Sequence, residues 1–252
     1  MSGHSKWSKI KRSKGVADAK KGQMFTKLGR EIAVAVREGG PDPESNFRLR
    51  LAIQKCRENN MPMDNVNSAI KRASGAGGSG AALIETTFEG YGPGGAAILI
   101  QALTDNRNRT LQEIRNAFSR GGGSLAEAGS VAWLFESKGT ITVDTGSANP
   151  EDVALVAIDA GAEDVSIENG YIEVYTAPNK LEAVRRALEQ AKYSVSSAEI
   201  SMIPKTTLQL GEEEALKALR LMDRIEELDD VQRVFSNVDF SDAVMEKLRA
   251  GA

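Results

Sequence analysis

Residues 139–203 switch between two hydrophobic periods in an order that few folds accept. GTITVD alternates as a strand does, and NPEDVALVAIDAG reads as a helix opened by Asn149 and Pro150, an N-cap residue and a first-turn proline. DVSIENGYIEVYT is two strands meeting at Asn169-Gly170, a pair suited to the positive φ angles of a tight hairpin turn. NKLEAVRRALEQA is a second helix and SVSSAEISMI a closing strand. The order β-α-β-β-α-β fits a ferredoxin-like unit.

The flanks complete a second layer. LIETTFEGYGPGGAAILIQALTD reads as strand, turn and strand, with Pro93-Gly94-Gly95 in the turn. A helix follows, with Leu111, Ile114 and Phe118 on one face; the capping-box spacing of Thr110 and Glu113 puts its start at 108–110, and Gly121-Gly122-Gly123 ends it. SVAWLFES is the next strand. Beyond 204, TTLQL reads as a strand, 211–226 as a helix with Ala215, Leu219, Met222 and Ile225 inward, and VQRVFSNV as a strand. The pieces on either side of 138–204 therefore pair into one sheet-and-helix domain that carries the other as an insertion.

Ahead of them lie three helical stretches. Phe25, Leu28, Ile32 and Val36 form one apolar face that stops at Gly39-Gly40-Pro41. Pro43, with Asp42 as N-cap, opens the second helix, which carries Leu49, Ile53 and Cys56 and ends at Asn59-Asn60; Pro62 opens the third, with Val66, Ile70 and Ala73 inward. GAGGSG at 75–80 has linker composition. The expectation is an α+β chain of three domains: a basic arm and three-helix domain over 1–78, a discontinuous α/β domain over 79–137 and 205–252, and an inserted β-α-β-β-α-β domain over 138–204. Both α/β domains are expected to be of ferredoxin-like type.

Charge separates these parts. The net charge of the 252 residues is −3, but residues 1–75 hold 16 Lys and Arg against 7 acids, and the remainder is correspondingly acidic. Residues 1–22 alone carry Lys6, Lys9, Lys11, Arg12, Lys14, Lys20 and Lys21 against Asp18. Such an asymmetry points to a polyanion-binding module on an acidic body. A basic, acid-poor start is also the composition of a mitochondrial transit peptide. No apolar run approaches a membrane span, and one cysteine, Cys56, forms no internal disulfide, so a reducing cytoplasm is the expected compartment. With one histidine, His4, and one cysteine, the chain lacks the residues of a zinc cage or a Ser–His–Asp set, which argues against hydrolytic chemistry.

Two segments are candidate nucleic-acid contacts. The arm attracts phosphate through its lysines and Arg12, and Trp7 among them either stacks on an unpaired base or docks the arm onto the helices. In TDNRNRT, residues 104–110, Arg107 and Arg109 alternate with Asn106 and Asn108; the segment reads either as a phosphate- or base-contacting loop or as a helix-capping loop with exposed arginines. Gly90, Gly92 and Gly95 match G-x-G-x-x-G, but a strand follows where a dinucleotide site needs a helix, so they read as a hairpin. The acids Glu212 to Glu214, Glu226, Glu227, Asp229 and Asp230 read as a solvated helix face and ends, not as a metal site. No cofactor, metal ion or small-molecule substrate is expected.

GHSKWSKIK at 3–11, Lys21, Gly22, Phe25, Lys27, Leu28 and Arg30 to Ile32, EGYGPGG at 89–95 and LTDNRNRT at 103–110 together resemble the YebC/PmpR family, which includes a mitochondrial translational activator of cytochrome oxidase subunit one. The resemblance runs over nearly the whole chain. It implies a helical N-terminal domain, two α/β domains with one inserted in the other, a cytoplasmic location and no enzymatic activity. The function it implies is DNA-binding transcriptional regulation; some members act instead on translation at the ribosome. Carried onto this sequence, the implied contacts are the basic arm, Arg107 and Arg109. The three helices show no helix-turn-helix signature, and the sequence leaves the oligomeric state open.

Overall fold

The computed structural model describes residues 18–75, 83–146, 148–168, 170–241 and 244, with side chains from 21 onward. These residues fall into two units. One runs up to Ala52, from Pro62 to Phe135 and from Ile203 on; the other takes Ile53–Met61 and Glu136–Met202.

In the first unit, helix α1 (Asp18–Gly39) buries Leu28, Ile32 and Ala35, spaced by four and three residues along one face. Gly40 ends it at φ 83°, with its N–H bonded to the Val36 carbonyl. Helix α2 (Phe47–Glu58), which belongs to this unit up to Ala52 and to the other from Ile53, starts later than the Asp-Pro pair suggested. Asp42 caps only a turn, accepting from the Glu44 N–H and the Ser45 hydroxyl. The helix cap is Asn46, buried, whose Oδ1 accepts from the Leu49 N–H while its Nδ2 donates to the carbonyls of Ala35 and Gly40. One amide thus terminates α1 and starts α2. Helix α3 (Met63–Ser74) buries Val66 and Ala69 and packs on α1.

The same unit holds a sheet of β1 (Ile84–Tyr91), β2 (Ala97–Thr104), β3 (Ser124–Ala126) and β9 (Val231–Ser236) in the order β3-β1-β2-β9, with every neighbouring pair antiparallel. The glycine motif is the β1–β2 hairpin, as its sequence indicated. Gly90 is required by a close approach: a Cβ there would lie 2.4 Å from Phe118 Cζ. Helices α4 (Arg107–Arg120) and α7 (Glu212–Glu226) cover this sheet. Ile114, Ala117 and Phe118 of α4 and Ala215, Leu219, Met222 and Ile225 of α7 share one core with Phe88, Ile98, Ile100 and Val234. Each large aliphatic side chain buried there contributes roughly 1.5–3 kcal/mol. The connectivity is β-β-α-β, then α-β after the insertion. This unit therefore shares the layered form of the inserted unit but not its strand order. A short parallel pair, β8 (Leu208–Gln209) with β10 (Val238–Asp239), lies beside it in sequence.

The second unit contains β4 (Phe135–Asp144), α5 (Pro150–Asp159), β5 (Asp164–Glu168), β6 (Tyr171–Thr176), α6 (Leu181–Gln190) and β7 (Ser194–Pro204), with sheet order β5-β6-β4-β7. That is the ferredoxin-like arrangement read from the sequence. Its core is Ile141, Val143, Val153, Ala157, Ile172, Val174, Leu181, Val184 and Leu188, all buried.

Two further local expectations are corrected. SVAWLFES is not one strand: Ala132–Leu134 is a short 3-10 turn, and β4 begins at Phe135 and runs on through GTITVD. Helix α4 begins at Arg107, not at 108–110, because Asn106 accepts from the Arg109 N–H as N-cap while Thr110 is buried within the first turns. Among the described residues no helix is long and apolar enough to cross a membrane.

Candidate nucleic-acid interface

Most of the basic arm, Lys6, Trp7, Lys9, Lys11, Arg12 and Lys14, lies outside the described residues. Lys20 and Lys21 fall in the first turn of α1, and the Lys21 side chain is exposed. The two arginines of the 104–110 segment sit in the first turn of α4 and have different surroundings. Arg107 is exposed, with no hydrogen bond or ion pair to a described residue. The Arg109 guanidinium is held by carboxylates: Nη2 donates to Asp105 Oδ1 at 2.7 Å and to Asp230 Oδ2 at 2.6 Å. Hydrogen bonds from that guanidinium to Asp230, then to Asp105, raise the pKa of Arg109 above its usual value.

Asp230 is the centre of this region, and the sequence misplaced it among solvated acids. Its side chain is only 3% exposed. Oδ2 accepts from Arg109, from the Thr110 hydroxyl at 2.7 Å and from the Thr104 hydroxyl at 3.0 Å; Oδ1 accepts from Arg30 Nη1 at 2.9 Å. Burial pushes the Asp230 carboxyl up, but the hydrogen bonds from Arg109, Thr110 and Thr104 outweigh it and hold the group below the usual carboxylate range. The Asp230 carbonyl also accepts from the Leu103 N–H, which fixes the entry of β9 beside β2.

Arg30 belongs to a polar row on α1 that docks onto the end of α7. Gln23 Nε2 donates to the Glu227 carbonyl (2.6 Å) and Asp229 Oδ1 (2.8 Å), Lys27 Nζ to the Glu226 carbonyl (2.6 Å), and Arg30 Nη1 to the Asp229 carbonyl (2.7 Å). Residues 23, 27 and 30 lie one turn apart on a single helix face. The cations meet the helix end where carbonyls lack partners and the macrodipole is negative. Part of the positive charge of the helical segment is thus consumed inside the fold. Long-range polar contacts of this kind leave no periodic signal in the sequence.

The EGYGPGG segment also has an internal task. The Glu89 carboxylate, buried, accepts from the N–H groups of Gly129, Val131 and Ala132 at 2.7–2.8 Å. Burial raises this carboxyl, and the three N–H donors overcome that to leave it below its ordinary value. Tyr91 Oη and Trp133 Nε1 both donate to the Ser130 carbonyl in the same loop. Among the described residues, no group of three or more His, Cys, Asp or Glu is arranged to hold a metal ion.

Known proteins place this architecture. Residues 5–76 match the family model described as the TACO1/YebC protein N-terminal domain, and residues 83–238 match the TACO1/YebC second and third domain. A probable transcriptional regulatory protein of Dehalococcoides mccartyi is 56% identical over 252 residues, covering all of both chains. One from Roseiflexus castenholzii is 53% identical, again over the full length of both. The crystal structure of a conserved hypothetical protein from Aquifex aeolicus, 43% identical, superposes with a TM-score of 0.81 over 89% of this chain and 93% of its own. The chain belongs to the TACO1/YebC family.

Proposed function

We propose that this chain is a non-enzymatic, nucleic-acid-binding regulator of gene expression that acts as a DNA-binding transcriptional regulator in the cytoplasm. The observation that carries the reading is the charge of residues 1–22, seven Lys or Arg against one acid, in a protein whose net charge is −3. Counterion release from phosphate gives such a segment affinity without sequence selectivity. Lys6, Lys9, Lys11, Arg12, Lys14, Lys20 and Lys21 supply the charge, and Trp7 supplies a ring that stacks on a base or wedges a base step. Arg107 adds a guanidinium free to reach a phosphate. Arg109, held by two carboxylates, orients the α4 start beside it and offers its remaining N–H groups. The names of the full-length relatives, probable transcriptional regulatory proteins, support the regulatory role.

The test is cross-linking in cells followed by sequencing of the attached nucleic acid, with anisotropy titrations of purified protein on duplex DNA and single-stranded RNA. Enrichment of promoter DNA and tighter binding of the duplex are expected. Recovery of ribosomal RNA or messenger RNA, with co-sedimentation on ribosomes, would reassign the protein to translation.

A further inference from the structure

A second cationic surface lies on helix α7, which the sequence advertised only by its acids. Arg120, Gly121, Lys217, Arg220, Leu221 and Arg224 line a shallow cleft of ≈ 150 Å³ at the seam of α4 and α7. All four cations are exposed. Lys217 pairs with Glu213 at 2.6 Å, while Arg120, Arg220 and Arg224 have no hydrogen bond or ion pair to a described residue.

The clustering is built by the fold. Lys217, Arg220 and Arg224 succeed one another at i, i+3 and i+7, which is one helix face. Arg120 arrives from a different element, and it does so because Gly121 lets the end of α4 touch α7: a Cβ at 121 would lie 2.6 Å from Leu221 Cδ1. Arg120 and Arg224 sit in the last turns of their helices, where a cation offsets the negative helix end. That accounts for neither Arg220 nor the like-charge neighbours Lys217–Arg220 and Arg220–Arg224, which disfavour the helix. An anion placed in the cleft would offset that repulsion.

The shape of the row selects the anion. Lys217 to Arg224 spans about 10 Å along the helix axis. Phosphates follow one another at roughly 3.4 Å of axis per strand while winding around it, so a row of this length is long enough to meet more than one of them. A single free phosphate is normally enclosed by convergent donors and backbone N–H groups. Here α4 presents its carbonyl end, and the Gly121 N–H is already bonded to the carbonyls of Ala117 and Phe118. We propose that Arg120, Lys217, Arg220 and Arg224 form a second contact for the phosphodiester backbone of a nucleic acid, separate from the N-terminal arm. This rests on the nucleic-acid-binding reading above and adds a place on the folded body where the strand lies.

The experiment uses the full chain with Arg120→Gln, Arg220→Gln and Arg224→Gln combined, and each change alone in case the triple variant unfolds. Labelled duplex DNA and single-stranded RNA are titrated between about 50 and 200 mM salt. The triple variant is expected to keep the wild-type melting temperature and to lose about 2–3 from the slope of log affinity against log salt, with each single change losing just under ~1. Replacing three cations of the other unit, Lys180, Arg186 and Lys192, by Gln is the control for net charge and should leave the slope unchanged. A wild-type slope in the triple variant overturns the cleft while leaving the arm intact. Absence of any binding by the wild type overturns both readings. If inorganic phosphate at constant ionic strength raises the melting temperature of the wild type but not of the variant, and the oligonucleotide slopes are equal, the ligand is a free anion and the proposal fails.

Discussion

Replacing Asp230 by Asn keeps the shape and removes the charge that four donors share. The wild-type carboxylate is 3% exposed and takes two guanidinium bonds and two hydroxyl bonds. An amide in its place keeps one acceptor oxygen and turns an NH2 donor toward a donor: with the oxygen at the Oδ2 position Arg30 loses its acceptor, and with it at the Oδ1 position Arg109, Thr104 and Thr110 lose theirs. Losing one partner of a buried ion pair costs about 3–5 kcal/mol. The cost here is smaller, because Arg30 and Arg109 retain 25% and 44% exposure and recover hydration once released. Screening of that kind brings the expected loss to about 2 kcal/mol. For a cooperative unit of this size that is a drop of roughly 4–8 °C in melting temperature. The pH dependence has a definite sign. The Asp230 carboxyl is depressed from its ordinary 3.8, so its contribution is complete above that value and is lost as pH falls toward the folded-state value. Thermal unfolding followed by circular dichroism should show a constant gap between wild type and Asp230→Asn at neutral pH that closes on acidification below about pH 4. A gap under about 1 °C at neutral pH, or one that widens in acid, would refute the assignment of Asp230 as the hub that ties α1, α4 and β9.

Other outcomes follow from the same contacts. Arg107→Ala should leave thermal stability within about 0.5 kcal/mol, since the residue has no described partner, and should reduce the salt slope of nucleic-acid binding by just under ~1; a large loss of melting temperature would make it a structural residue instead. Gly90→Ala forces a Cβ to 2.4 Å from Phe118 Cζ and 2.7 Å from the Ser124 carbonyl oxygen, so chemical denaturation should register a loss of about 1–3 kcal/mol. Glu89→Gln removes the charge that gathers three N–H donors; hydrogen-exchange protection at 129–132, taken relative to the intrinsic rate at each pH, should fall, and in the wild type the same loss of protection should appear as pH falls below the ordinary glutamate value of 4.5, because the folded-state carboxyl is depressed.

The parts of the fold that were legible are those whose cause is local. The period of two in GTITVD and IEVY, the period of 3.6 in α1 and α7, and the glycine turn at 93–95 each state their own geometry. Of the α4 start only its neighbourhood was visible: the capping-box spacing of Thr110 and Glu113 pointed to 108–110, and the cap is Asn106. The errors share a different cause, a partner distant in sequence. SVAWLFES has strand composition, yet Glu89, some 40 residues earlier, gathers the N–H groups at 129–132 and holds the chain in a turn until Phe135. Asp42 looks like the cap of α2, but Asn46 wins because its amide also satisfies the carbonyls of Ala35 and Gly40. Asp230, within an acidic run, reads as solvated until Arg30 and Arg109 arrive from 200 and 121 residues away. The cations of α7 were hidden by the three glutamates at its first turn, which complement that helix end and drew the reading toward acidity.

The direct test of cationic engagement with a sugar-phosphate chain is the salt dependence of binding to duplex DNA, for the wild type and for a variant with Lys6, Lys9, Lys11 and Arg12 changed to Ala. With about six phosphates neutralised, log affinity should fall against log salt with a slope near −5, and the variant should be several units shallower and weaker by a similar factor on unrelated sequences. A wild-type protein that binds no nucleic acid at about 50 mM salt, or a variant with an unaltered slope, would contradict it.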